Sequence, residues 1–421
     1  MIVKFKNQNL LVILVSALLI NPMIYNSHAN IQRYVIYAVC IVYLLLNNKY
    51  ISKIISSWLL NFKITNILIL GWCVWACLIP IILLSFEFSF ISNFIFSIEE
   101  IIPLLVIAVF CLKSASKNGM DSLKLFCVLY GFGMCLYVLG TITILLNPNL
   151  HDFVLKYLVT NDHDRMLLNY AQYYSRIGWS GIAVFGTSLK CTIAFSCMLF
   201  LFRDSINKKK RVLYLFSCII LFIGNIFYAR TGMIVCVAIV GCYLMGLMRE
   251  RNKGKEFFIS IVIVIISVLI LIQIINKYSD NSVISWMFEF IYNYTKNGRL
   301  SSNSTDMMKD SMFFLPKIET LLIGDGYYTY NNSYYMKTDV GFMRLTLFGG
   351  VLFCVWLYLT IINYFRKIEK YKKANKSLAM YLLITFAVFE IKGETTIYFL
   401  PLIIVLAVLG CIDYRKENNK L

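Results

Sequence analysis

Apolar residues in this chain run together in long blocks. They show neither the two-residue alternation of a half-exposed strand nor the narrow stripe of a surface helix. The stretches from Ile64 to Leu84 and from Phe257 to Ile275 are representative. A membrane-crossing helix needs about 20 mostly apolar residues. On that length the chain divides into twelve predicted spans: 8–25, 31–48, 64–84, 94–112, 123–146, 183–202, 212–228, 231–248, 257–276, 339–362, 378–391 and 396–412. The last two are short for a full crossing. The expected fold is one all-α polytopic membrane domain over residues 1–421, with long connections at 147–182 and, between the ninth and tenth spans, at 277–338. Long connections in a compact protein are usually functional or disordered, and these two, rich in Tyr, Asn and Asp, are not low-complexity. Residues 282–296 carry the apolar and aromatic pattern of a helix lying in the membrane interface.

Composition sharpens this. Hydrophobic residues make up 59% of the chain and charged residues only 15%, against about 25% charged in soluble domains. An aromatic content of 15% excludes an intrinsically disordered chain. The formal charge is +18. Such a balance can mark a nucleic-acid binder, but here the basic residues gather in short loops of one side. They are Lys49, Lys53 and Lys63; Lys113, Lys117 and Lys124; Arg203 and Lys208 to Arg211; Arg249 to Lys255; Arg366 to Lys376; and Arg415 to Lys420. That is the positive-inside pattern. It places both termini in the cytoplasm and leaves no reason to expect a nucleic-acid partner. The 13 cysteines lie almost all inside apolar runs; they read as small core residues, not as disulfides or metal ligands. Lys4 and Lys6 followed by Leu10–Ile20 resemble a signal peptide, but no clean small-x-small site follows, and Asn21-Pro22 ends an expected uncleaved first helix.

The informative charges are those that topology leaves over. Arg176 (YYSRIGWSGIAVFG), Arg230 (IFYARTGMIV), Arg344 (DVGFMRLTLFGG) and Lys190 all fall outside the membrane or toward its outer half. A snorkelling arginine at a helix end belongs more naturally on the cytoplasmic side. An arginine inside a span is costly and usually faces a cavity or an anionic partner. Asp339, five residues before Arg344, is one candidate partner; Lys190 is equally placed to pair with Glu99, Glu100 or Glu390 or to contact an anionic ligand. Several cations in low dielectric need anionic compensation, and guanidinium recognises phosphate bidentately. A lipid-linked pyrophosphate at the outer interface fits that need. Gly341, Gly349 and Gly350 allow close helix packing. The run GDGYYTYNNSYYMKTD combines aromatic faces with amides and carboxylates suited to sugar, including Tyr327, Tyr328, Asn331 and Tyr334; an interfacial tyrosine belt is the plainer alternative. The three histidines (His28, His151, His163) lie in outer loops, and His163 between Asp162 and Asp164 reads as a solvated turn. There is no H-E-x-x-H, P-loop or G-x-S-x-G.

Taken together these residues resemble the oligosaccharide repeat-unit polymerases of Wzy type, within the O-antigen ligase and polymerase superfamily. The matching features are a polytopic chain with a large outer loop before a late span, Arg230-Thr231-Gly232 opening a helix and Arg176-x-Gly178 before a span. To these are added Gly324-x-Gly326, Asp339-x-Gly341-x-x-Arg344 and Gly349-Gly350. The resemblance implies a GT-C-like glycosyltransferase of the bacterial cytoplasmic membrane, active on its exterior face. Such a protein transfers a growing chain from undecaprenyl pyrophosphate to the sugar of an incoming lipid-linked repeat unit, making O-antigen or capsule, with no nucleotide sugar, metal or other cofactor. A chain-length regulator and a flippase are partners by analogy, besides membrane lipids. Arg176, Arg230 and Arg344 would bind the pyrophosphate and stabilise it as leaving group. Asp339 would be the base or orienter, Lys190 a further phosphate contact, and Tyr327, Tyr328, Asn331 and Tyr334 would hold the glycan. Related ligases usually carry a histidine just before the late span; here Asp339 stands in that region and no histidine does, which favours the polymerase. The rival from another class is a lipid-oligosaccharide flippase, which would place polar sites at the bilayer midplane of an internally repeated fold; no repeat is visible.

Overall fold

The computed structural model describes residues 7–26, 29–158, 176–250, 288–299, 301–331, 333–371 and 375–418, with a few isolated positions between 254 and 277. Most of the predicted span 257–276, and both His28 and His163, lie outside the described residues. The first half of the chain forms α1 (Asn7–Ile20), α2 (Ala29–Leu46), α3 (Asn48–Asn61), α4 (Lys63–Ile82), α5 (Ser89–Glu99), α6 (Ile101–Asn118), α7 (Ser122–Leu146) and α8 (Pro148–Tyr157). A two-stranded hairpin, β1 (Ile177–Gly178) with β2 (Gly181–Ile182), leads into α9 (Phe185–Asp204), α10 (Lys208–Tyr228) and α11 (Arg230–Met248). Three short helices, α12 (Glu289–Asn297), α13 (Asn303–Met307) and α14 (Ile318–Ile323), precede the hairpin β3 (Thr329–Tyr330) with β4 (Ser333–Tyr334). The chain then completes α15 (Gly341–Tyr371), α16 (Asn375–Lys392) and α17 (Thr396–Asn418).

Among the described residues, nine helical stretches are long and apolar enough to cross a membrane, with α5 and α6 counted together. Nine of the twelve predicted spans fall on them. The chain is a nearly all-helical, multi-pass membrane protein. Its outer surface agrees with that: Cys40 is the one buried residue of α2, and Leu45, Leu46, Ile64, Ile67 and Leu70 are exposed, a surface that hydrocarbon solvates and water does not. At the centre, α17 packs against α15, α6, α5, α3 and α7, while α9 packs against α10, α7, α16 and α11. All 13 cysteines are free.

Several predicted elements differ. The first span is the shorter α1, apolar over Leu10–Ile20, packed against α7. The span 378–391 is the helix α16, but Lys376, Glu390 and Lys392 within it keep it out of the nine. The basic segment 49–63, expected as a loop, is the helix α3. It buries Ile54 and Ser57 on one face, leaves Lys53 and Leu59 exposed, and its Trp58 indole donates to the Tyr364 hydroxyl at 3.0 Å. Of the segment 282–296, expected as a helix, Glu289 onward forms α12, and residues 282–287 lie outside the described residues. The connection 147–182 is not simply a loop: Asn147 caps α8 by accepting from the amides of Asn149 and Leu150, with Pro148 at the first helical position. The Trp179 indole, in the tip of the first hairpin, donates to the Asn21 carbonyl at 2.9 Å.

The late span carries the feature that shapes the site. The helix α15 is broken at Gly350, whose φ of 82° and ψ of 170° are far from helical. A side chain there would be strained by the positive φ and would also run into the Leu322 carbonyl. The break frees the carbonyls at the end of the half-helix Gly341–Gly349, which must find donors elsewhere. The Asp325 amide donates to Leu347 O at 2.7 Å and the Gly326 amide to Phe348 O at 3.0 Å. The glycines of Gly324-Asp325-Gly326 and of Gly349-Gly350 are thus two halves of one joint, which docks the tyrosine-rich segment on α15.

Candidate functional site

From that joint the chain runs over the loop-rich end of the bundle. Ser85 donates to the Gly326 carbonyl at 2.8 Å. Glu87, in the turn between α4 and α5, accepts from the Tyr328 amide at 2.9 Å and from the Thr329 hydroxyl at 3.0 Å. Asp325 accepts from the hydroxyls of Thr320 at 2.7 Å and Tyr335 at 3.0 Å, and burial with that carboxylate pushes the Tyr335 hydroxyl up to about 12. The hairpin turns at the exposed Asn331, whose φ is 49°. Tyr327 stacks on Tyr335 with centroids 5.4 Å apart and meets Tyr330 edge-on at 5.8 Å.

Tyr328 and Tyr334 turn toward the bundle and enclose Arg344. Its guanidinium carbon lies 4.0 Å from the Tyr328 ring centroid and 3.7 Å from that of Tyr334. Arg344 is only 7% exposed, and its Nε is buried without a hydrogen-bond partner. Among the described residues no carboxylate forms an ion pair with it. Cation–π contact is worth about 0.5–2 kcal/mol, less than a buried cation loses in leaving water. The expected pairing of Arg344 with Asp339 does not occur. Asp339 lies instead within electrostatic reach of Lys392, which also feels Arg230.

Behind Tyr328 stand two buried acids. The Tyr328 hydroxyl donates to Glu394 Oε2 at 2.9 Å, and the Ile397 amide donates to Glu394 Oε1 at 3.1 Å. Glu390 Oε2 accepts from the Thr395 amide at 2.8 Å, the Thr395 hydroxyl at 2.7 Å and the Thr396 amide at 3.0 Å, and its Oε1 accepts from Tyr358 at 2.9 Å. Glu390, in the last turn of α16, and Glu394, just before α17, both accept from the amides that open α17, where the helix dipole favours negative charge. In the turn between α16 and α17, burial and the neighbouring Glu390 push the Glu394 carboxyl up to about 7, with the Arg344 charge pulling the other way. The sequence reading missed Glu394. Its signal was available as a second acid four residues after Glu390, between two apolar runs.

The other predicted cations are held differently. Arg230, the first residue of α11, is ion-paired with Glu289 at the start of α12 and lies 5.6 Å from the Phe290 ring. Glu289 also accepts from the Asn303 amide at 2.9 Å. Lys190 pairs with Glu100 at 3.3 Å, the one of its three proposed acids that it reaches, and donates to the Ile20 carbonyl at 3.0 Å. That pair lines a cavity of about 450 Å³ together with Arg33, Tyr37, Ser180 and Tyr398. Arg176 precedes β1, half-buried, and its carbonyl accepts from the Ala183 amide at 2.8 Å. The predicted residues therefore fall into separate centres. Arg344 lies within electrostatic reach of Glu394 and Arg230 within reach of Lys392, while Lys190 lies on the cavity wall. Tyr398 joins the last to the first, since it lines the cavity and lies within electrostatic reach of Glu394, Arg344 and Glu100.

This arrangement offers one buried cation with no ion-paired carboxylate among the described residues, a buried acid one tyrosine away, and an aromatic surface nearby. Comparison with protein-family models, with curated proteins and with solved structures finds no match to this chain.

Proposed function

We propose that this protein is a membrane glycosyltransferase that polymerises undecaprenyl-pyrophosphate-linked oligosaccharide repeat units into a surface polysaccharide, on the outer face of a bacterial cytoplasmic membrane. The observation that carries the reading is Arg344: a guanidinium 7% exposed, stacked between Tyr328 and Tyr334, with no ion-paired carboxylate among the described residues. A buried cation of this kind is completed by an anionic ligand. The diphosphate of a lipid-linked sugar supplies that anion, and its charge grows as the glycosyl bond breaks, which is when a fixed cation contributes most to rate. The tyrosine surface of Tyr327, Tyr330 and Tyr335, with Asn331 at the hairpin tip, supports sugar binding beside it. Lys392 ends α16 beside the same turn, within electrostatic reach of Asp339 and of Arg230, whose own charge is paired with Glu289. Arg176 and Lys190 contribute from the first hairpin and the cavity wall.

The test is Arg344→Ala, with membrane insertion verified, in purified full-length protein supplied with lipid-linked repeat units. The expected result is loss of the ladder of longer products; an unchanged ladder refutes the reading. A flippase is the second reading, because the break at Gly350 resembles the discontinuous helices of transporters. Against it, the carbonyls freed by the break already accept from Asp325 and Gly326, so they are not left to a substrate. Loss of a polymerase leaves glycans capped at one repeat unit, loss of a flippase leaves none at the surface, and loss of a ligase leaves polymer on its lipid.

A further inference from the structure

We propose that Glu394 accepts the proton of the attacking sugar hydroxyl, and that Tyr328 fixes it against Arg344 as the second half of one catalytic pair. This rests on the glycosyl-transfer reading above. A sugar hydroxyl displacing a diphosphate needs a base on the incoming oxygen and a cation at the departing one. Tyr328 presents its hydroxyl to Glu394 at 2.9 Å and its ring face to Arg344 at 4.0 Å, so a single rigid side chain sets the base and the cation apart. In the step, the hydroxyl oxygen bonds to the anomeric carbon of the donor sugar while its proton passes to a Glu394 oxygen. The anomeric C–O bond to the diphosphate breaks, and its electron pair leaves with the diphosphate, whose new charge lies beside Arg344. Glu394 then returns the proton to water.

Two other acids are excluded by their surroundings. The oxygens of Glu390 already accept from four donors and hold the start of α17, which is a structural task. Asp339 lies within electrostatic reach of Lys392 and forms no ion pair with Arg344 among the described residues. Glu394 has one donor on each oxygen and keeps a lone pair free on both. Glu394 itself is 6% exposed, and Tyr398, within electrostatic reach of it, is 48% exposed. The charged and titratable groups facing it are Glu390 from α16, Arg344 from α15, Tyr398 from α17 and Tyr328 from the loop. Their sum with burial sets the carboxyl at about 7, where a general base works best at neutral pH.

The experiment measures initial rates against pH with purified full-length protein and lipid-linked repeat units. Glu394→Gln keeps the shape and the bond from the Ile397 amide. It is expected to lower kcat by about 10²–10⁴-fold, with little change in KM, and to abolish the rise of rate as pH passes about 7. Glu394→Asp is expected to recover part of kcat and the rise with it. Tyr328→Phe removes a donor to the carboxylate, so the rise moves to higher pH. An active wild type whose Glu394→Gln variant keeps both its rate and its pH limb overturns the assignment of Glu394 alone. A wild type that forms no product from lipid-linked units overturns the glycosyl-transfer reading, and this proposal with it.

Discussion

Arg230 and Arg344 look alike in the sequence, each a lone cation where an apolar run begins, yet the fold treats them oppositely. Arg230 is neutralised by Glu289, which approaches from the α12 segment and is itself fixed by the Asn303 amide. Arg344 receives two tyrosine faces and no ion-paired acid among the described residues, although Glu394 lies one ring away. An ion pair completes the charge of Arg230 and makes it part of the scaffold. Stacking orients the Arg344 guanidinium without cancelling its charge. A cation is therefore read for function less by its depth than by what already satisfies it.

The sharpest way to break this contrast is substitution at Arg344. Arg344→Ala is expected to cost about 10²–10³-fold in polymer formation, the scale of losing one preorganised charge at a transition state. Arg344→Lys should recover little, since an ammonium neither stacks nor forks; single-turnover assays on lipid-linked units check both. Next in size is the joint beneath the tyrosine segment. Gly350→Ala meets both a φ of 82° and the Leu322 carbonyl, and is expected to lower the thermal unfolding temperature in detergent by several degrees or to prevent accumulation in membranes. Arg230 should behave as scaffold. Arg230→Ala strands the partly buried Glu289, at a cost of about 3–5 kcal/mol for a broken buried pair, and Arg230→Ala with Glu289→Ala should restore most of that. Arg344→Ala with Glu394→Gln should restore nothing, and a double-mutant cycle in thermal stability and activity separates the two behaviours. The smallest effect lies at the opposite end of the bundle. Trp58→Phe removes the bond to Tyr364 and is expected to cost about 1 kcal/mol with no change in activity.

Much of this fold was legible before any coordinates. Nine predicted spans fall on long apolar helices, because twenty apolar residues in a row satisfy their own backbone as a helix wherever they lie. The segments that misled are those with mixed signals. The helix α3 was hidden by its lysines, and α15 read as one continuous span because a glycine pair in an apolar run looks like a packing surface. Of the site, the sequence picked out Arg344, Tyr328 and Tyr334 but not that they touch. It set Asp339 beside Arg344 when the neighbour is Glu394, fifty residues further along the chain.

The sequence by itself determined that this is a helical, multi-pass membrane protein, and which of its cations topology could not explain. Both follow from local hydrophobicity, a property of each segment alone. Only the tertiary structure decided which of those cations the protein satisfies internally. Arg230 is paired with Glu289 from a segment remote in the chain, while Arg344 meets the rings of Tyr328 and Tyr334 and no ion-paired carboxylate among the described residues, and no local pattern encodes a meeting that depends on how the helices pack.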